Sequence, residues 1–257
     1  MARRPRAQAP AASAPIPSDA AAIARALADN PVLAHAGTRT IEVLAAHSEA
    51  RAWQRGERLL DEGAASDACF ALVRGTVGVF YSSNDGVDVL VKIFGAPAIF
   101  GEMELLWGLP RLEYVEAFTP VVAVRIRGDE LHQALRSEGA LAYAMLRDVA
   151  RRLCIAAYHE RALAFQTVPM RLAGVLLSFA AAHGTRCDDG VLIDVPLTYE
   201  MLARCLGATT RSVDRAFATW MSEGWLARDG GRVRIADLAA LEAHADPERL
   251  ELFHRLR

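Results

Sequence analysis

The chain has 257 residues, of which 53% are hydrophobic and 23% charged, with a formal net charge of -2. That much apolar material supports one large domain or two ordinary ones and excludes a disordered chain. The charge balance excludes a uniformly basic polyanion binder, so any nucleic-acid surface has to be a local patch.

Residues 1–18 are mostly Ala, Pro and Arg, with little to bury, and read as a disordered tail carrying Arg3, Arg4 and Arg6. A helical pattern follows from Ala20 to Leu44, broken near Pro31 and Gly37. From Ala52 to Ile126 short β-type runs alternate with glycine turns. The runs are Ala52–Trp53, Arg58–Leu60, Cys69–Val73, Thr76–Tyr81, Val87–Phe94, Ile99–Phe100, Tyr114–Ala117 and Val121–Ile126. Turns are expected at Gly56-Glu57, Glu62-Gly63, Arg74-Gly75 and Asn84-Asp85-Gly86, which suggests a closed antiparallel roll or sandwich. Asp129 and Glu130 suit the first turn of the next helix. A longer helix spans roughly Gly139 to Ala164. In it Leu146, Val149, Leu153, Ala156, Glu160 and Leu163 follow the 3-4 spacing of a self-association seam, while Arg151, Arg152, His159 and Arg161 leave the other faces polar. Pro169 marks a break before a helix from Met170 to His183. Thr185–Gly190 reads as a polar loop and Val191–Val195 as a strand.

The segment from Leu197 to Ile235 is the most informative. Thr198 suits the N-cap of a short helix ending at Leu206, Gly207 is a turn residue, and Thr209 caps a second helix from Thr210 to Ser222. Val213, Phe217, Trp220 and Met221 are expected to face inward. Arg211 and Arg215 share the outer face, beside Thr210, Ser212 and Asp214. A hairpin turning at Asp229-Gly230-Gly231 completes a winged helix-turn-helix. A helix entering the major groove needs such donors: Arg binds guanine O6 and N7, and capped helix N-termini with wing residues Arg228, Arg232 and Arg234 can hold phosphates.

From about Arg25 to Ile235 the chain resembles the CRP/FNR family of bacterial transcription regulators. Four segments carry the resemblance: Trp53–Glu57 leading to Asp61–Gly63, Cys69–Val77, Ile99–Glu102, and the helix-turn-helix. The implied fold is α+β: a cyclic-nucleotide-binding-like β-roll (19–127), a long dimerisation helix (128–167), a winged helix-turn-helix (168–237) and a C-terminal helical extension (238–257). The implied partners are a double-stranded DNA operator, a second copy of the chain, an unknown small-molecule effector and RNA polymerase. The resemblance places Gly101, Glu102, Met103, Arg111, Leu112, Ala156 and Ala157 at the effector pocket. It places Thr198, Thr209, Thr210, Arg211, Ser212, Asp214, Arg215 and Arg232 at DNA.

The chain departs from the cyclic-AMP pattern. Gly101, Glu102 and Arg111 match, but Leu112 stands where a phosphate-binding Ser is usual, with Glu113 beside it, and Ala156 and Ala157 stand where two adenine-contacting hydroxyls would. Three hydrogen bonds worth ~1 kcal/mol each are missing. Cyclic AMP in the standard mode is therefore disfavoured; an uncharged ligand against Leu112, Ala156 and Ala157, or no effector at all, are the alternatives. In the reading helix Thr210 and Arg211 replace the family's Arg and acidic residue, whereas Arg215 matches. The family's oxygen-sensing members hold an iron–sulfur cluster on N-terminal cysteines, and no cysteine here precedes Cys69, which disfavours that cofactor. Cys69, His132, Cys154 and His159 are conceivable haem ligands, but no spacing singles them out, and no metal site is expected.

The four cysteines, Cys69, Cys154, Cys187 and Cys205, contain no C-x-x-C pair, and each reads as a small buried hydrophobe. There is no bilayer-length apolar run and no secretory signal, so a cytoplasmic location without membrane attachment is expected. No catalytic motif is present, so no enzyme is expected. The competing class is a ligand-binding or protein-interaction module of this fold that has lost specific DNA binding.

Overall fold

The computed structural model describes residues 16–82, 88–195, 197–229 and 231–246. Most of the expected tail, the Asn84-Asp85-Gly86 turn, Gly230, and Leu250, Leu252 and Phe253 of the extension lie outside them.

Helix α1 (Ala20–Ala28) starts at Asp19, whose carboxylate accepts from the Ala22 N–H at 2.7 Å. A 3-10 turn (Leu33–His35) leads to α2 (Thr38–Ala46). The roll is built from β1 (Glu49–Trp53), β2 (Arg58–Leu60), β3 (Ala68–Arg74), β4 (Thr76–Ser82), β5 (Asp88–Gly95), β6 (Ala98–Phe100), helix α3 (Glu102–Trp107), β7 (Tyr114–Ala117) and β8 (Val121–Arg127). Each expected run falls within a strand, save that Val87, the start of the expected run Val87–Phe94, lies outside the described residues. All pairings are antiparallel, in two four-stranded sheets ordered β1-β8-β3-β6 and β2-β7-β4-β5. Phe70, Leu72, Val77, Val79, Phe100 and Val115 fill the space between them.

Helix α4 (Gly128–Ser137) and the 27-residue α5 (Gly139–Phe165) follow. The reader comprises α6 (Val168–His183), β9 (Gly184–Cys187), β10 (Gly190–Ile193), α7 (Tyr199–Cys205), α8 (Thr210–Ser222), β11 (Leu226–Asp229), β12 (Arg232–Ile235) and α9 (Leu238–His244). Its sheet runs β11-β12-β10-β9. The expected loop over Thr185–Gly190 is thus strand except at Asp188 and Asp189. All four β9 residues are exposed, so backbone pairing to β10, with no apolar stripe, holds it. The expected strand Val191–Val195 is shorter, ending at Ile193.

The reader leans on the roll. Phe80, Leu90 and Tyr114 on the β2-β7-β4-β5 sheet, with Phe118 just after β7, share one core with Leu172, Leu176, Leu202 and Phe217. Arg204 of α7 donates to the Asp88 carbonyl at 2.9 Å. Helix α9 adds Leu241 to the same core. Of the cysteines only Cys69 is buried; Cys154 and Cys187 are exposed, and Cys205 is partly buried against the core of the C-terminal unit. Among the described residues no helix is long and apolar enough to cross a membrane, and no group of three His, Cys, Asp or Glu could hold a metal.

Candidate effector cavity and nucleic-acid interface

The roll encloses a cavity of about 30 Å³ beside α3, with Gly101, Glu102, Met103 and Arg111 among its lining residues. That is room for about one water molecule, against the ~300–1,000 Å³ of an ordinary ligand site. Gly101 adopts φ +73° at the head of α3, a left-handed conformation that suits glycine. Arg111 is 3% exposed, and its guanidinium donates to the carbonyls of Gly101 (2.5 Å) and Ala68, with Glu104 at 3.7 Å. Both terminal nitrogens of the expected phosphate-holding arginine are therefore engaged by the protein's own backbone, while its buried Nε has no partner.

Sequence reasoning missed the other charges. Arg152 does not lie on a polar outer face of α5. It is 5% exposed, pairs with Glu102 (0% exposed) at 2.6 Å and with Asp148 at 2.8 Å, and lines the cavity. Burial raises the Glu102 carboxyl above its usual range, against the opposing pull of Arg152. Lys92 and Glu113 also line the cavity. Burial and then Arg152 lower the Lys92 ammonium, whereas burial and then Glu104 raise Glu113. The only sequence signal for Arg152 was its position one turn before Ala156. The structure does not bring Leu112, Ala156 or Ala157 to the cavity wall. Leu112 is 48% exposed, because Arg111 takes the inward place beside it, and both alanines lie on the exposed side of α5. An apolar pocket made by these three is corrected accordingly.

Along α5, Leu146, Leu153, Ala156, Glu160 and Leu163 are exposed and Val149 is partly buried. Tyr143 and Phe165, near either end of α5, are also exposed.

In the reader, Thr198 accepts from the Met201 N–H at 3.1 Å and Thr209 from the Ser212 N–H at 3.2 Å, so both expected N-caps form. Gly207, at φ +56°, makes the turn, with Leu163 Cδ2 3.2 Å from where a Cβ would sit. Helix α8 buries Val213, Ala216, Phe217 and Trp220. Met221 does not face inward but is 41% exposed, since Ala216 and Trp220 take the core positions. Thr210, Arg211, Asp214 and Arg215 are all exposed. Ser212 is only partly exposed, and its hydroxyl lies 2.9 Å from Thr209 Oγ1, which ties it to the cap.

The wing arginines are held by the reader itself. Arg228 donates to the Leu197 carbonyl at 2.9 Å, and its guanidinium lies 4.5 Å from the Tyr199 ring and 5.2 Å from the Phe217 ring. Arg232 pairs with Asp194 at 2.7 Å, and Arg234 pairs with Asp189.

A two-sheet roll joined by a long helix to a winged helix-turn-helix defines a class, the DNA-binding regulators that couple a sensor module to a reader. The Crp-like helix-turn-helix domain family matches residues 170–244, and the cyclic nucleotide-binding domain family matches residues 50–138. The chain belongs to the CRP/FNR family of transcription regulators. It is 30% identical over 191 residues to the CRP-like cAMP-activated global transcriptional regulator of Mycobacterium tuberculosis, covering 74% of this chain and 85% of that protein. It is 27% identical over 165 residues to the global nitrogen regulator of a Nostoc species, 63% of this chain and 74% of that one. A CRP-family regulator from Thermus thermophilus is similar in structure, with TM-score 0.65 and 26% identity over 76% of this chain and 95% of that one. The c-di-GMP-responsive global regulator of Xanthomonas campestris shares the fold, with TM-score 0.67 and 20% identity over 78% of this chain and all of that one.

Proposed function

We propose that this chain is a sequence-specific, homodimeric, cytoplasmic DNA-binding regulator that does not take cyclic AMP in the family's standard way. One observation carries the reading: α8 presents Arg211, Asp214 and Arg215 together on an exposed face just after its capped start at Thr209, with the capped start of α7 at Thr198 preceding it. Residues 19–127 would sense, 128–167 would pair two copies through the exposed face of α5, and 168–237 would read DNA. Thr198 and Thr209 would set their helix N-termini on backbone phosphates. Two readers then meet half-sites one helical turn apart, ~34–36 Å between centres. RNA polymerase is the further partner this reading implies.

Against cyclic AMP stand the engaged donors of Arg111, the outward Leu112 and the acidic Glu113. The activation described for the Mycobacterium tuberculosis relative is not carried over. Calorimetry of the full chain with cyclic AMP is expected to give no micromolar binding; micromolar binding abolished by Arg111→Ala would refute this. Selection of bound fragments from the native genome, with and without a small-molecule extract, tests DNA reading and effector dependence together. Failure to enrich any sequence at moderate salt would favour the interaction-module alternative.

A further inference from the structure

We propose that Asp246 is a positioning residue for DNA reading: across the joint between α5 and α6 it holds Gln166, and so fixes the direction in which each reader leaves the long helix and the half-site spacing that a dimer accepts. This rests on the dimeric DNA-reading function above.

The joint is short. Gln166 donates its N–H to the Ala162 carbonyl at 3.0 Å, so its backbone closes α5, and Thr167 already caps α6. Both residues are extended, at φ -104°, ψ 147° and φ -68°, ψ 160°. A few backbone torsions therefore orient the whole reader against α5. The reader's seat on the roll is mainly apolar, apart from Arg204 on the Asp88 carbonyl, and apolar contact is non-directional. A directional tie at the joint is what sets an angle.

Asp246 supplies that tie from the far end of the reader. Helix α9 is fastened there: Asp237 caps it, Leu241 and Ala245 enter the reader's core, and the His244 ring lies 4.6 Å from the Trp225 ring. Asp246 follows directly and so starts from a fixed point. Its carboxylate accepts from Gln166 Nε2 at 2.6 Å, and Gln166 Nε2 also donates to Tyr158 Oη at 3.2 Å, two turns back on α5. One chain of hydrogen bonds thus spans reader, joint and long helix. The Gln166 Oε1 is buried without a partner among the described residues, so the amide is oriented from its Nε2 side. A carboxylate accepts only, and it demands the NH2 group there. Arg171 holds the same residue from behind, donating to the Gln166 carbonyl at 2.7 Å.

Inserting one base pair between half-sites displaces one of them by ~3.4 Å and turns it by ~35° about the duplex. A reader held at one angle cannot follow that change, and a loosened one can. The test uses the full chain, the operator selected by wild type, and two duplexes with one base pair added or removed midway between the half-sites. Wild type is expected to bind the selected spacing at least about tenfold tighter than either altered one. Asp246→Ala is expected to bind all three within about threefold, as the loss of a charge-assisted hydrogen bond allows, while selecting the same bases. Gln166→Ala should do the same, and the double variant should lose no more than either single one, because the two groups act as a unit. Asp246→Asn, whose amide oxygen still accepts from Gln166, should keep the wild-type preference. Thermal unfolding verifies that each variant folds; should Asp246→Ala not fold, Gln166→Ala carries the same comparison.

A merely structural role would weaken binding to all three duplexes alike and leave the spacing preference intact, and that result overturns the proposal. Losses that add in the double variant overturn it too. A wild type that enriches no sequence sinks the DNA-reading function, and this inference with it, whereas variants that keep the spacing of a wild-type operator sink this inference alone.

Discussion

The cavity and the reading helix use the same side chain in opposite ways. At the cavity, Arg111 and Arg152 are almost fully buried, and their guanidiniums are engaged by carbonyls and carboxylates of the same chain. On α8, Arg211 and Arg215 stand exposed and outside any ion pair among the described residues. The first pair is structural, because burial forces each charge to find a partner. The second pair is free for a ligand, because water meets the cost of its charge until DNA replaces that water. The wing arginines lie between these extremes: exposed enough to suggest contacts, yet each already held.

Breaking the buried pair should have the largest effect. Arg152→Ala leaves Glu102 at 0% exposure with its main partner gone. Removing one partner of a buried pair costs about 3–5 kcal/mol. Urea denaturation should therefore show a large drop in midpoint at unchanged slope. The double variant Glu102→Leu with Arg152→Leu should recover most of that loss. A single variant as stable as wild type would mean the pair is not a structural one. Next comes Arg215→Ala, expected to weaken operator binding by about 1–3 kcal/mol and to relax one position per half-site while unfolding stays unchanged. Equal weakening toward every duplex would make Arg215 a phosphate contact and erase the contrast with the wing.

How much was legible in advance follows the same division. The strands of the roll were readable because short apolar runs between glycine turns are local signals, and the helix-turn-helix because Thr198, Gly207 and Thr209 mark its ends within a few residues. The seam was readable as a spacing. The cavity was not. Arg152 meets Glu102 across 50 residues of chain, and nothing near either names the other. Leu112 was placed inside by analogy with a serine, yet the inward place went to Arg111 and Leu112 turned to solvent. Strand β9 carries no apolar residue but the exposed Cys187 to announce it, since an edge strand exposed on every residue is defined by its neighbour's backbone.

Two smaller effects sharpen the comparison. Arg232→Ala gives up a half-exposed ion pair with Asp194, so it should change stability by no more than about 1 kcal/mol. It should also leave the slope of log affinity against log salt unchanged. A slope reduced by about one would place Arg232 on a phosphate after all.

The smallest effect lies at the seat of the reader on the roll. His183, at the end of α6, packs its ring where a Cβ on Gly95 would stand, at 2.8 Å, and burial there holds its pKa below the ordinary 6.5. The folded protein then binds this proton less readily than the unfolded chain. Stability from this group is complete above pH 6.5 and declines as pH falls from there toward the lowered folded value, because the unfolded state takes up more protons across that window. The raised carboxyls of Glu102 and Glu113 act with the opposite sign, since their folded forms hold protons more tightly and so lose stability as pH rises. Wild type alone therefore gives a mixed curve, and only the difference from His183→Gln isolates the histidine. The denaturation midpoint of wild type relative to that variant should fall between pH 7 and pH 5. A pH-independent difference would mean that His183 titrates alike in both states and does not seat the reader as a buried neutral ring.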